Sequence, residues 1–537
     1  MLRQPTTSAT AGKPFAFPAV WSVLLLIAAV LLAYLPALRG GFIFDDNVFL
    51  TANPLIQAPD GLRRLWFTRQ AADYWPVTSS TLWLEWRLWG LNAAGYHVTN
   101  VILHAVEVLL FWALLRRLKV PGAFFAALVF ALHPVNAETV AWITERKNLM
   151  AMLFFLLALF WFAGGRRWEY WLSLLAFTLA MLSKGSVVVL PVVLLGLICW
   201  DRRPEWRDLL RLAPFFAVAG ALAFYEAQFS TVLAPAYMQP LNFLGRVLRA
   251  GAIIGFYLGK VLWPAGLCFD YGQWKVQPAD FRWWLPLAAV LALTAALWIG
   301  RRRSGIRAAL FGWGYFCVAL GPALGFVEVG FMRYSPVSNV YAHLALLGVA
   351  ALAGAGGARL VAIARGMGHP SPSLLFGAAA SIAVGFAVLT WKQSRIYADA
   401  VTLYRDTVAQ NPSSWPSQVN LGVLLYTAGN GTEAVTHLEK AVQLRPDYPE
   451  AHNDLGNAYL QTRRLADARR EYEQALGLSP DYAEAHNNLG VVLAESGRVT
   501  EAIAQFEEAL RIDPDFRNAR QNLDHARSLE QSAPPFR

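Results

Sequence analysis

Charge is what this chain is shortest of. Only 15% of its 537 residues are Asp, Glu, Lys or Arg, against 56% that are apolar, whereas a soluble domain carries roughly a quarter charged residues. That shortage excludes a chain that is water-facing throughout. Cysteine is scarce as well. Cys199, Cys268 and Cys317 have neither the spacing of a metal site nor the arithmetic of a disulfide framework. No Gly-rich phosphate loop, His-Glu-x-x-His helix or paired-cysteine site occurs, which argues against a nucleotide-driven or zinc enzyme. Aromatic residues are plentiful at 13%, yet they form no stacking platform for nucleic acid. The apolar segments show no repeated halves, which a transporter often has.

What charge there is falls unevenly. From Ala398 onward there are 13 Lys or Arg against 20 Asp or Glu; before it there are 33 basic and 16 acidic residues. A basic, apolar body therefore precedes an acidic, soluble one. Reading apolar runs of about 20 residues as membrane spans and Lys/Arg-rich loops as cytoplasmic gives a consistent alternation. Residues 1–18 form a cytoplasmic tail, and Val20–Leu38 reads as an uncleaved anchor, since it lacks a clear small-x-small cleavage site. The loop over 39–95 is then external, while Arg116-Arg117, Arg166-Arg167 and Arg202-Arg203 are internal. Phe243–Trp263 is apolar but interrupted by Arg246, Arg249 and Lys260, so it reads as an interfacial or re-entrant helix. The result is an all-α membrane bundle over 19–397 with about eleven spans. Its last span delivers residues 398–537 to the non-cytoplasmic face.

Those final residues repeat. Pro412, Pro446, Pro480 and Pro514 recur every 34 residues, as do Ala400, Ala434, Ala468 and Ala502, and Gly422, Gly456 and Gly490. This is the tetratricopeptide period, two antiparallel helices per unit stacked into a solenoid. The spacing predicts a half-repeat at 399–412, repeats at 413–446, 447–480 and 481–514, and a capping helix at 515–530. A concave surface for a protein or peptide partner is expected, with a structural cap over the membrane body as the alternative.

Polar residues at or near membrane depth are costly unless used, and four runs stand out. The first is Asp45-Asp46. The second spans His133 and Glu138 and continues through Thr144-Glu145-Arg146-Lys147-Asn148. Ser183-Lys184 and Arg333-Tyr334 are the third and fourth. By the alternation above all four open on the external side, which points to one site. Each also has a plainer reading. An Asp pair caps helices, His133 before Pro134 ends one, and Arg146, Lys147, Lys184 and Arg333 could be anchors that snorkel to head groups.

The stretches GFIFDDNVFLTANP, YWPVTSSTLWLEWRLWGLNAAGYHVTNVILHA, ALHPVNAETVAWITERKNLMAMLFFLLAL and LSKGSVVVLP, followed by the repeats, resemble the bacterial relatives of the transmembrane, tetratricopeptide-repeat-containing protein O-mannosyltransferases. The resemblance runs from about Gly41 through the last repeat. It implies an inverting GT-C type glycosyltransferase in a bacterial inner membrane, with the repeats extracytoplasmic. Such an enzyme moves mannose or a similar hexose from a polyprenyl phosphate to Ser/Thr hydroxyls of exported protein. The lipid-linked sugar is then a substrate, and neither metal nor other cofactor is implied. The acidic pair of that family's first external loop matches Asp45 and Asp46. The pattern departs at Asn339, where the bacterial relatives tend to carry an acid.

Elementary chemistry agrees with this reading. A sugar phosphate already has a good leaving group, so one carboxylate suffices to take the acceptor's proton; glycosidases use two. Neighbouring residues of an extended segment point to opposite sides, so Asp45 is assigned as base and Asp46 as the residue that orients loop or acceptor. The departing phosphate needs fixed positive charge, for which Arg146, Lys147, Lys184 and Arg333 are the candidates. His133, Glu138 and Tyr334 complete the set. A non-enzymatic membrane scaffold is the rival reading, under which these polar residues are incidental.

Overall fold

A computed structural model describes residues 18–229, 241–327, 330–366 and 372–532; among them there are helices and no strands. It divides into two compact units. The first comprises Met1–Leu267, Lys275–Gly330 and Asn339–Ala398, and the second Cys268–Trp274, Phe331–Ser338 and Asp399–Arg537. The repeats fall in the second unit from Asp399 onward, and two short segments from earlier in the chain join them. The Cys268–Trp274 segment is held there by Asp270, whose carboxylate accepts a bond from Ser414 Oγ and whose carbonyl accepts one from Asn411 Nδ2 at 3.0 Å.

Among the described residues of the first unit, five helices are long and apolar enough to cross a membrane: Ala93–Arg117, Trp206–Ala227, Phe281–Gly300, Asn339–Arg365 and Leu374–Ile396. A sixth span arises if Ala123–Leu132 and Pro134–Ala141, bent by 49°, count as one. Ala19–Ala33, Gly185–Asp201 and Gly305–Ala319 are apolar but shorter. Helix length and composition therefore account for five or six of the expected spans. The bend has a local cause. His133 precedes a proline and sits at φ −72°, ψ 126°, the extended geometry that the proline ring imposes on its predecessor. Phe243–Leu262 forms a 20-residue helix, and its three cations keep it out of the set of candidate spans.

The 39–95 segment is a small helical layer of its own. Pro54–Gln57, Gly61–Phe67 and Pro76–Trp89 pack around Leu50, Leu55, Ile56, Leu65, Leu82, Tyr96 and Ile143, all buried. Leu50 follows the Asp45-Asp46 pair by a few residues, and Ile143 immediately precedes Thr144. This apolar cluster therefore seats the two polar runs that form the site below.

The second unit is the predicted solenoid. Its helix pairs are Trp415–Thr427 with Gly431–Leu444, Pro449–Gln461 with Leu465–Leu478, and Ala483–Glu495 with Val499–Ile512. Ala400–Gln410 precedes them and Arg517–Ser532 follows. The repeating small residues are where helices touch. Ala434, Ala468 and Ala502 are fully buried. A Cβ at Gly422, Gly456 or Gly490 would lie 2.5–2.6 Å from Leu438, Tyr472 or Phe506 respectively. Gly456→Ala is accordingly expected to lower repeat stability by roughly 1–3 kcal/mol through overpacking, which thermal unfolding would detect. An unchanged melting temperature would mean that Tyr472 can move aside.

Candidate functional site

The site begins with a turn. Asp45 and Asp46 were expected in an extended segment with opposed side chains. Instead Phe44 adopts φ 46°, Asp46 is helical at φ −59°, ψ −27°, and a π-helical turn follows over Asn47–Thr51. Left-handed backbone at a bulky residue costs on the order of 1–3 kcal/mol and collects at functional positions, as do π turns. The two carboxylates still diverge, by this turn and not by strand alternation.

Asp46 faces inward and is fully buried. Its carboxylate accepts the backbone N–H of Ile43 at 2.8 Å and that of Thr144 at 3.0 Å. It thereby closes its own turn and fastens it to the Ile143–Glu145 segment. Burial pushes its pKa up to about 7, even with those two donors, and neighbouring Asp45 adds to the rise. Asp45 faces outward, with its side chain 20% exposed. Thr144 Oγ1 donates to it at 2.7 Å, and Lys147 Nζ lies 3.8 Å away. Burial raises the Asp45 pKa, while Lys147 and Thr144 oppose that rise.

Behind Asp45 the cations are layered on an acid. Lys147 Nζ lies 2.8 Å and Lys184 Nζ 3.7 Å from the Glu145 carboxylate, which Asn148 Nδ2 also contacts. Burial would raise Glu145, but the two lysines outweigh it and hold the carboxyl below its usual value. The rings of Phe49, Trp75 and Trp142 surround Lys147 Nζ at 5.0–5.4 Å, and Tyr341 stands 5.7 Å from Lys184 Nζ. Such rings favour a desolvated cation. Two pockets adjoin these groups. Asp73, Trp75, Thr78 and Thr144 help to line one; Asn148, Met152, Val187 and Tyr341 help to line an apolar one.

The expected convergence of the four runs is thus partial. Asp45, Asp46, Lys147 and Lys184 come together. Arg146 does not point with them: it is fully buried, its Nε donates to Asn100 Oδ1 and its Nη2 to the Tyr96 carbonyl, each at 2.8 Å, and its Nη1 pairs with Glu85. Consecutive residues at a helix start face about 100° apart, so one cation of the Arg146-Lys147 pair turns inward. His133 caps its helix, taking the Val135 N–H at 3.3 Å, and its other ring nitrogen contacts the Val261 carbonyl at 2.9 Å. Glu138 is buried and accepts from Asn339 Nδ2 at 2.8 Å and Tyr397 Oη at 3.0 Å. Asn339, which departs from the acidic pattern, is therefore a donor to an acid. Tyr334 belongs to the second unit, with its ring 6.3 Å from Phe331. Arg333 closes the short Gly330–Arg333 turn there, and its side chain lies outside the described residues.

Thr144 and Glu145, which stood in the second polar run without a role, hold Asp45 and the two lysines, and Trp75 and Asp73 join them as lining residues that sequence had not assigned to the site. An acid immediately before two cations in TERK was a visible signal for Glu145. Trp75 stood in the quoted stretch YWPVTSS without a role and nothing marked Asp73; both arrive from the 39–95 layer.

Comparison with known proteins bears on this arrangement. Residues 73–233 match the family described as dolichyl-phosphate-mannose-protein mannosyltransferase, a stretch that holds Thr144, Glu145, Lys147 and Lys184 but starts after Asp45. Residues 422–462 and 453–515 match tetratricopeptide repeat families. A protein O-mannosyl-transferase of Caenorhabditis elegans is 26% identical over 80% of this chain and 63% of its own length. The human protein O-mannosyl-transferase TMTC1 is 26% identical over 83% of this chain and 57% of its own. Human TMTC4 is 32% identical over a shorter stretch, 26% of this chain and 22% of its own. The chain thus spans less than two thirds of the length of each of these. With the mannosyltransferase match in the helical body and the repeats after it, the chain is a relative of the tetratricopeptide-repeat-containing protein O-mannosyl-transferases.

Proposed function

We propose that this protein transfers a hexose such as mannose from a polyprenyl-phosphate carrier to a Ser or Thr hydroxyl of an exported protein. The observation that carries the reading is the pairing of a partly exposed Asp45 carboxylate with a buried lysine 3.8 Å away. Asp45 takes the hydroxyl proton as the acceptor oxygen bonds to the anomeric carbon. The bond from that carbon to the phosphate oxygen breaks, and the polyprenyl phosphate leaves with the electron pair. Lys147 and Lys184 face the charge that grows on the phosphate. Asp46 is a positioning residue that holds the turn, and Arg146 braces the wall through Glu85 and Asn100. The apolar pocket lined by Met152 and Val187, near Lys184 in the chain, suits the start of a lipid tail.

The external orientation of Asp45 and of the repeats belongs to the same proposal, supported by the Lys/Arg alternation of the loops. The acidic repeat array is then the surface that receives the acceptor or a partner protein. Incubating the purified protein with polyprenyl-phosphate [14C]mannose and a Ser/Thr-rich peptide tests the reading. Label should appear on the peptide; a folded preparation that labels no peptide or co-purifying protein would favour the scaffold alternative.

A second expectation follows from Thr144. Its hydroxyl favours the ionised form of Asp45, and a base is lost as pH falls through its pKa. Thr144→Val removes that donor, raises the pKa further and moves the acid limb of kcat/KM to higher pH. An acid limb that stays in place would put the titrating base elsewhere.

A further inference from the structure

A different group of side chains in the first unit is not used by this chemistry. His104 and Glu107 lie on the helix Ala93–Arg117, and His343 lies at the start of Ala342–Gly366. All three are buried, and one ligand atom from each falls within 4.8 Å of the others. His104 Nδ1 is 3.0 Å and His343 Nε2 is 3.3 Å from the same Glu107 oxygen, Oε2. The second oxygen, Glu107 Oε1, has no hydrogen-bond partner among the described residues, nor does His343 Nε2.

The far side of each ring decides what the near side can be. His104 Nε2 faces the Ala131 carbonyl at 3.4 Å, which can only accept, so that nitrogen carries the proton. His343 Nδ1 is 2.8 Å from Asn136 Oδ1. The amide is oriented with its oxygen there because Asn136 Nδ2 donates to the Phe130 carbonyl at 2.7 Å. His343 Nδ1 is therefore also a donor. Each neutral imidazole then turns a bare, lone-pair nitrogen towards Glu107. Two such nitrogens and a carboxylate are three acceptors pointed at one another. A single proton on Glu107 satisfies one nitrogen and leaves the other facing a lone pair, in a place where unsatisfied polar atoms are expensive.

We propose that His104, Glu107 and His343 bind a divalent transition-metal ion of the zinc type. Two imidazoles and a carboxylate are a ligand set zinc takes in three-ligand sites. A tetrahedral ion with bonds of about 2.0–2.1 Å spaces its ligand atoms about 3.3 Å apart, close to the two separations above. The outward hydrogen bonds to Ala131 and Asn136 are the kind that fix tautomer and ring orientation in metal-binding histidines. The ion would tie Ala93–Arg117 to Asn339–Arg365, two of the helices long enough to span a membrane. Nothing in this requires the transferase reading, since metal content is measured without turnover.

The test uses the full-length protein, purified in detergent without a polyhistidine tag, stripped with chelator and dialysed against limiting Zn2+. About one tightly held zinc per chain is expected, with the visible absorption of a four-coordinate ion when Co2+ replaces it. Glu107→Gln and His343→Asn should lose the ion, and Asn136→Ala should weaken it by roughly 10–100-fold. Wild-type protein that is monodisperse and holds no stoichiometric metal overturns the proposal, whether or not the variants fold. So does a Glu107→Gln protein that keeps the full complement.

Discussion

Replacing Asp45 by Asn is expected to slow sugar transfer by roughly two to four orders of magnitude, the range attributed to a positioned general base. The substitution keeps the shape of the side chain, and Thr144 Oγ1, 2.7 Å away, can still donate to the remaining carbonyl oxygen. Insertion and melting temperature should therefore change little, because this side chain faces out of the core at 20% exposure. The neighbouring substitution separates the roles. Asp46 accepts two backbone N–H groups, and an amide in its place offers one oxygen and turns a donor against the other N–H. Asp46→Asn should cost about 1–3 kcal/mol of stability, the penalty for a buried group left unpaired, and should reduce yield of folded protein more than turnover per folded molecule. If Asp45→Asn turns over like wild type while Asp46→Asn folds normally and is inactive, the assignment of base and brace is reversed.

Lys147→Ala is expected to reduce transfer by about 2–4 kcal/mol of transition-state stabilisation, roughly 30- to 1,000-fold, as when one preorganised donor to a developing anion is removed. Lys147 is the cation closest to Asp45, is almost wholly buried, and is enclosed by Phe49, Trp75 and Trp142. Charge in such a dry enclosure acts more strongly than the same charge in water. The single variant has a second effect, since it leaves Glu145 with Lys184 as its remaining lysine partner at 3.7 Å. Lys147→Ala combined with Glu145→Gln removes both charges and resolves the ambiguity. A purely structural lysine predicts that the double variant recovers donor use; a lysine that faces the phosphate predicts that it does not. Binding of the lipid-linked sugar and single-turnover rate, measured separately, show where the loss falls.

Much of the architecture could be read from residue order alone, for reasons of period and length. A 34-residue recurrence of Gly, Ala and Pro is a local rule: each small residue marks a helix contact inside one repeat or with its neighbour. The repeats were legible for that reason. Apolar runs likewise announce membrane helices one segment at a time. Some runs still fold into helices of 15 to 17 residues, because polar residues and turns at their ends stop them early. Hydropathy counts apolar residues but does not say where the helix breaks.

The site divides along the same line. Residue order alone singled out Asp45, Asp46, Lys147 and Lys184, because charge beside long apolar segments is conspicuous wherever it stands. It could not say which charges would meet. Arg146 and Lys147 are adjacent and chemically alike, yet one is consumed by Glu85 and Asn100 while the other faces Asp45. That choice depends on the rotation of a single helix start against partners some 46 and 61 residues earlier in the chain. The same holds for Glu107, His104 and His343, two of which share a helix turn while the third comes from more than 200 residues away. The chain's composition and periodicity thus determined a helical membrane body with a repeat array. Tertiary structure alone decided which polar groups confront one another, because the energy of a buried charge depends on the few atoms around it and not on its place in the sequence.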